Sequence, residues 1–225
     1  MAGSSRAALV TGGTGRVGAA IAERLEREGF RVFAAGRRDG DLTQADEARA
    51  LAERAATELG GLDLLVNAAG EGFEPRPFAD VSEADWDVAF GATAKGSFFV
   101  TQAAAPFLRR SEAGLVVMIE DVAAYQPWPS FAAHCAAKAA QAMLTKVFAR
   151  ALAPEIRVCG VAPGTVAVDA DQVERRAAEA LLGRVGSPDD VAAAVLYLAG
   201  AEFVTGTTLV VDGGRLLQST HTATP

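Results

Sequence analysis

At 225 residues, half of them hydrophobic and 22% charged, the chain suffices for one domain around a sizeable core, which argues against disorder. A net charge of −7 with no basic patch argues against nucleic acid or an anionic membrane as partner, and no segment approaches the roughly 18 uninterrupted apolar residues of a membrane span. Cys135 and Cys159 read as free thiols of a reducing compartment and the start Met1 to Arg6 is small and polar rather than a secretory signal, so a cytoplasmic location is expected.

Residues 1–5 read as a loose tail. Ala7 to Val10 is a short apolar run, predicted to be a buried strand. Thr11-Gly12-Gly13-Thr14-Gly15-Arg16-Val17-Gly18 follows, and then Val17, Ala20, Ile21 and Leu25 recur at helical spacing as far as about Glu28, with Gly29 closing the helix. Strand, tight turn and helix together make an anion site. The first N–H groups of a helix carry partial positive charge, and glycines let the backbone approach a pyrophosphate. Gly13-x-Gly15-x-x-Gly18 fits the dinucleotide fingerprint, and Gly12-x-x-Gly15-x-x-Gly18 fits a related spacing. The same stretch also fits a glycine-rich β–α turn with no ligand.

Arg31 to Ala35 is predicted as the second strand. At its end a free ribose 2′-hydroxyl calls for a carboxylate and a 2′-phosphate for arginine. The chain has Gly36-Arg37-Arg38 with no acid before Asp39, which favours NADP(H) over NAD(H); two solvated arginines on a loop are the alternative. Only Gly36 to Leu42 then precedes the next helix, whereas a crossover to another parallel strand takes roughly a dozen residues. No third strand and helix fit there. A helix is expected from Thr43 to Gly60-Gly61, then a strand at Leu62 to Val66, closed by Asn67-Ala68-Ala69-Gly70. A loop holding Phe73 leads to the helix start Ser82 to Asp85. The helical region running to about Arg110 is interrupted around Gly91 and Gly96, and its Trp86, Phe90, Phe98, Phe99, Phe107 and Leu108 imply burial, in part against another subunit. Leu115 to Ile119 is a strand followed by Glu120-Asp121. A helix spans about Phe131 to Ala153 and stops at Pro154. Ile156 to Val161 is a strand turned by Ala162-Pro163-Gly164, and 170–182 is expected to be helical. Ser187-Pro188-Asp189-Asp190 starts a helix, Thr207 to Val211 is the last strand, and 218–225 reads as a tail.

Strands alternating with helices predict an α/β, Rossmann-type doubly wound parallel sheet, here of six strands. Ligands of such sheets sit beyond the carboxyl ends of the strands. The glycine turn, Arg37, Asn67 to Gly70, Asp121 and Pro163-Gly164 all fall at such ends, so one site is implied.

Taken together, Thr11 to Gly18, Asp41-Leu42-Thr43, Leu65 to Gly70, Ala162-Pro163-Gly164-Thr165 and Val211-Asp212-Gly213-Gly214 resemble the short-chain dehydrogenase/reductase family over nearly the whole chain. The resemblance implies a nicotinamide cofactor and a homo-dimer or homo-tetramer. It places cofactor contacts at Thr11, Gly12, Gly15, Arg16, Val17, Gly18, Arg37, Asn67, Ala68, Ala69, Gly70, Lys138, Pro163 and Gly164. Within the family the chain resembles the pteridine reductases. Arg16 matches their arginine that touches cofactor and pterin, Phe73 (with Pro75 and Pro77 after it) the aromatic that stacks on the pterin, Asp121 their aspartate where most members have serine, and Gln126-Pro127 also matches.

The chain departs from the family at its catalytic positions. The tyrosine four residues before the lysine is replaced: His134 stands thirteen residues after Asp121, with Lys138 four later. Tyr125 precedes Lys138 by thirteen residues and cannot replace it. Thr93 stands where the family has a helix asparagine. Asp121, His134 and Lys138 are therefore the expected catalytic residues, with Asp121 able to keep the imidazole protonated as an acid; a helix-start histidine at a decayed site is the other reading. No metal site is expected, since the only other histidine is His221 in the tail, and Cys135 points about 100° around the helix from His134. Two functions stay open: an NADPH-dependent reductase of C=N or C=O in a small flat, pterin-like substrate, and a nucleotide-binding or assembly protein on the same fold with little turnover.

Overall fold

The computed structural model describes residues 5–166 and 169–218; His221 and most of both expected tails lie outside the described residues. The elements are β1 (Ala7–Thr11), α1 (Arg16–Arg27), β2 (Arg31–Ala35), α2 (Ala45–Leu59), β3 (Leu64–Asn67), α3 (Glu83–Phe90), α4 (Ser97–Leu108), β4 (Leu115–Ile119), α5 (Ala132–Leu152), β5 (Arg157–Pro163), α6 (Val173–Ala177), α7 (Pro188–Gly200) and β6 (Thr208–Val211). The sheet order is β2-β1-β3-β4-β5-β6, and every neighbouring pair is parallel.

Successive side chains of a strand point to opposite faces, so each central strand feeds two cores. Leu9, Leu65, Val116, Met118 and Val158 pack with Leu51, Val100, Leu108 and Phe148 of α2, α4 and α5. Val10, Val66, Val117, Ile119 and Val161 pack with Ile21 and Leu25 of α1 and Val191, Val195 and Leu198 of α7. A parallel sheet covered on both faces is the doubly wound architecture that the alternating pattern implies.

Strands β1, β5 and β6 differ by one or two residues at an end from the sequence expectation, and three other boundaries have a structural reason. Helix α2 starts at Ala45 rather than Thr43, because Gln44 is still extended. Strand β3 begins at Leu64, where the ladder with Ala8 of β1 begins. The helix expected over 170–182 is reduced to a tight turn at Ala170–Gln172 and the five residues of α6. Neither piece buries a residue, so no apolar face holds a longer helix against the sheet.

The short connection after β2 is as expected: one tight turn, Arg37–Asp39, and then α2. Its last residues press against the wide helical turn Gly91–Gly96 that joins α3 to α4. A Cβ on Gly91 would lie 2.8 Å from Thr43 Cγ2, and one on Gly96 would lie 2.8 Å from the Leu42 carbonyl oxygen. The two glycines that interrupt the apolar pattern are therefore contact points for the shortened loop.

Helix α7 opens on a reciprocal cap. Ser187 Oγ accepts the Asp190 N–H (3.2 Å), and Asp190 Oδ2 accepts the Ser187 N–H (2.7 Å). Arg184 grips the same carboxylate with two nitrogens at 2.8 and 2.9 Å. Arg184, followed by the Ser187 N–H, holds the Asp190 carboxyl well below the ordinary carboxylate range. A carboxyl depressed in the folded state stabilises above its unfolded pKa, about 3.9, and loses that contribution as pH falls towards the folded value. Asp190→Ala is expected to cost about 1 kcal/mol at pH 7 in denaturant titration, with the gap to the parent chain closing in strong acid.

Candidate active site

The cleft begins where β1 ends. Thr11 Oγ1 accepts the N–H groups of Ala68 and Ala69, both at 3.2 Å, tying the end of β1 to the end of β3. This is the switch point, with β2 on one side of β1 and β3 on the other. Gly12 lies in the left-handed region (φ 66°), and a Cβ there would sit 2.8 Å from the Ala68 carbonyl oxygen. A Cβ on Gly18 would fall 2.1 Å from the Gly12 carbonyl oxygen, so only glycine lets α1 seat on the turn. Gly15 caps α1 without a side-chain acceptor, and the first turn holds no acid, so the positive end of the helix is left to an anion.

Thr11, Gly12, Gly15, Arg37, Ala68, Ala69 and Gly70 line this first cavity. Arg37 pairs with Glu71 at 2.9 Å and is largely exposed. Asp39 is engaged elsewhere, accepting the Gly36 N–H (2.9 Å) and pairing with Arg54 (3.2 Å). Three expected contacts are placed differently. Arg16 is on the surface, 2.6 Å from Asp169, and lines neither cavity described here. Asn67 is buried and donates to Thr101 Oγ1 (2.9 Å), pointing into the α4 layer. Gly18 acts beneath the turn rather than in its lining. The Asp169 pair explains the first, the Thr101 hydrogen bond the second and steric packing the third.

The second cavity shares Ala68, Gly70 and Glu71 with the first and adds Val17, Phe73, Asp121, His134, Lys138, Pro163 and Gly164. One stripe of α5 builds its polar wall. His134, Lys138, Gln141 and Thr145 are all buried, at a spacing that keeps them on one helix face. His134 Nε2 lies 3.3 Å from Asp121 Oδ2, while Asp121 Oδ1 accepts the Ala123 N–H at 2.8 Å. Lys138 Nζ donates to the Ile119 carbonyl (2.8 Å) and to Gln141 Oε1 (3.0 Å). Burial drives the Lys138 pKa down, and the charges of Asp121 and Glu120 push back. Gln141 in turn donates to Ser97 Oγ at 3.1 Å. Thr93 Oγ1 is buried without a partner near Gly70.

Glu120 is a buried residue that the sequence reading passed over. It accepts hydroxyls from Thr145 (2.6 Å), Tyr125 (2.8 Å) and Thr208 (3.0 Å). Gly160 makes room for it, since a Cβ there would meet Glu120 Oε1 at 2.1 Å. Burial first, and then the Glu120 carboxylate, push the Tyr125 phenol up to about 12, so its hydroxyl stays protonated and committed to Glu120. The recurrence of polar residues at 134, 138, 141 and 145 in an alanine-rich helix was the available signal for Gln141 and Thr145.

Phe73 faces Phe131 (ring centroids 4.7 Å apart), the His134 ring (4.9 Å) and Trp128 (6.3 Å). The sequence pattern did not single out Trp128 or Phe131. Cys135 turns towards the Trp128 carbonyl (4.0 Å), away from the His134–Asp121 contact. Among the described residues no group of three or more His, Cys, Asp or Glu could hold a metal, and no helix is long and apolar enough to cross a membrane.

A family profile described as enoyl-(acyl carrier protein) reductase matches residues 38–215. The 3beta-hydroxysteroid dehydrogenase 1 of Eggerthella lenta is 36% identical, over 93% of this chain and 93% of its own. The 4-formylbenzenesulfonate dehydrogenase of Comamonas testosteroni is 32% identical, over 94% and 98%. Among solved structures, the ligand-free aldohexose dehydrogenase of Thermoplasma acidophilum superposes with a TM-score of 0.90 at 28% identity, covering 98% of this chain and 97% of that one. A blue fluorescent protein from a metagenomic library, solved in complex with NADPH, superposes with a TM-score of 0.85 at 26% identity, over 93% and 97%. Sheet, cleft and relatives agree: the chain belongs to the short-chain dehydrogenase/reductase family, an oxidoreductase on an NAD(P)-binding Rossmann fold.

Proposed function

We propose that the chain is an NADPH-dependent reductase of C=O or C=N bonds in a small, flat, pterin-like substrate, with His134 as proton donor. The observation that carries this reading is the His134–Asp121 contact at 3.3 Å, beside buried Lys138, in a cavity that adjoins the glycine cradle. The residues present fit a nicotinamide dinucleotide. The α1 N-terminus has no side-chain cap, and Gly12 and Gly18 admit no Cβ. When bound, the cofactor supplies hydride equivalents.

The side chains supply the rest. The α1 N-terminus receives the pyrophosphate. Arg37 holds the 2′-phosphate, and with Asp39 occupied by Gly36 and Arg54 that carboxylate does not compete for a free ribose hydroxyl. Lys138 is fixed by Ile119 and Gln141 to hold the nicotinamide ribose. Asp121 orients the imidazole of His134, which gives its proton to the substrate oxygen or nitrogen. Phe73 supplies a face for the flat ring. Exposed Met143 and Val147 on α5 support a homo-dimer or homo-tetramer, and a cytoplasmic setting fits two free thiols.

His134→Gln is expected to lower kcat about a hundredfold or more while leaving NADPH binding, followed by its fluorescence, unchanged. A rise in turnover for His134→Tyr above the parent would overturn the assignment and mark the site as decayed, in favour of a nucleotide-binding or assembly role.

Arg37→Ala is expected to weaken NADPH binding about tenfold to a hundredfold, with little effect on NADH. An unchanged ratio of the two affinities would remove Arg37 as the source of NADP preference.

A further inference from the structure

Two guanidinium groups share one carboxylate at the substrate end of the second cavity. Arg176 Nη1 lies 2.7 Å from Glu179 Oε1, and Arg215 Nη1 lies 2.8 Å from Glu179 Oε2. Thr165 Oγ1 donates to the same Oε2 at 2.8 Å. Both arginines line the cavity together with Phe73, Trp128 and Phe131. Burial works against the Glu179 charge, but Arg176, Thr165 and Arg215 outweigh it and hold the carboxyl below its ordinary range. The trio therefore carries one uncompensated positive charge.

Among the described residues no other acid of the cavity neutralises that charge by contact. Glu120 is taken up by three hydroxyls, Asp121 by His134 and the Ala123 N–H, and Glu71 by Arg37. Arg176 Nε is buried with no acceptor, and Arg215 is only 15% exposed. The Arg215 guanidinium lies over the Trp128 ring, 4.7 Å from its centroid, which fixes its plane. Contacts then run from Trp128 to Phe73 and from Phe73 to His134. A planar ring laid against this aromatic wall of the cavity thus has His134 towards one end and a fixed cation towards the other.

We propose that Arg215 and Arg176 form an anion subsite, so that the substrate is a flat aromatic carbonyl compound bearing a carboxylate or sulfonate remote from the carbonyl group. This rests on the reductase reading for the carbonyl and on the guanidinium pair alone for the anion. A planar guanidinium matches a carboxylate or sulfonate edge to edge. The chain as a whole is acidic (net charge −7), so the positive site selects locally against the repulsion of the rest.

Trp86→Phe leaves Trp128 as the sole tryptophan, and in this background its fluorescence reports binding without turnover. 4-Hydroxymethylbenzoate is expected to bind at least about tenfold tighter than 4-methylbenzyl alcohol. Arg215→Met and Arg176→Met should each remove most of that difference and leave the neutral alcohol unaffected. Glu179→Gln, which frees the pair, should tighten the benzoate several-fold, an outcome that damage to the fold cannot imitate. With NADPH, 4-carboxybenzaldehyde should show a correspondingly lower KM than methyl 4-formylbenzoate. Equal binding of acid and alcohol, or a weaker benzoate in Glu179→Gln, overturns the subsite. Turnover of both aldehydes with equal KM also overturns it and leaves the reductase reading intact. Selective benzoate binding without NADPH consumption upholds the subsite and removes the reductase reading.

Discussion

An ammonium taken out of water costs on the order of several kcal/mol unless fixed partners replace its hydration. Lys138 sets that demand, and the surrounding structure answers it. The end of β4 offers the Ile119 carbonyl, Gln141 offers its amide oxygen, and Glu120 and Asp121 supply negative charge nearby. Each partner is itself held: Gln141 by Ser97 of α4, and Glu120 by hydroxyls from α5, β6 and the loop after β4. The seating of α5 on the sheet therefore joins a connected polar network to the apolar contact of Phe148, and the buried stripe of His134, Lys138, Gln141 and Thr145 inherits its rigidity.

Most of the fold was legible because its signals are local. Apolar runs bounded by glycine marked the strands, and the seven residues Gly36 to Leu42 were too few for another crossover. The glycines at 91 and 96 gave away an interruption whose cause, contact with Leu42 and Thr43, is visible only in three dimensions. Legibility failed where stability comes from ion pairs: residues 170–182 carry helix-forming residues but no face that packs on the sheet, so only α6 forms.

The site was legible in part. Thr11, Gly12, Gly15, Arg37, Ala68 to Gly70, Phe73, Asp121, His134, Lys138, Pro163 and Gly164 all meet in two adjoining cavities, because strand ends converge in a parallel sheet. Arg16 did not join them, because an acid far along the chain, Asp169, holds it outside. Glu120 and Arg215 went unremarked for a related reason. Their partners lie on elements remote in sequence, and a charged residue next to a motif looks like any solvated one until its surroundings are known.

With no further strand and helix between β2 and α2, the sheet ends at β2, whose outer backbone has no strand beside it among the described residues. Such a border is a template onto which another chain can add a strand. Here it is fenced by cations. Arg31 reaches from the strand's first position to the Leu59 carbonyl, and Arg54 leans over the Phe33 ring at 5.4 Å. An omission that shortens the chain thus turns two surface arginines into guards against self-association along the sheet margin.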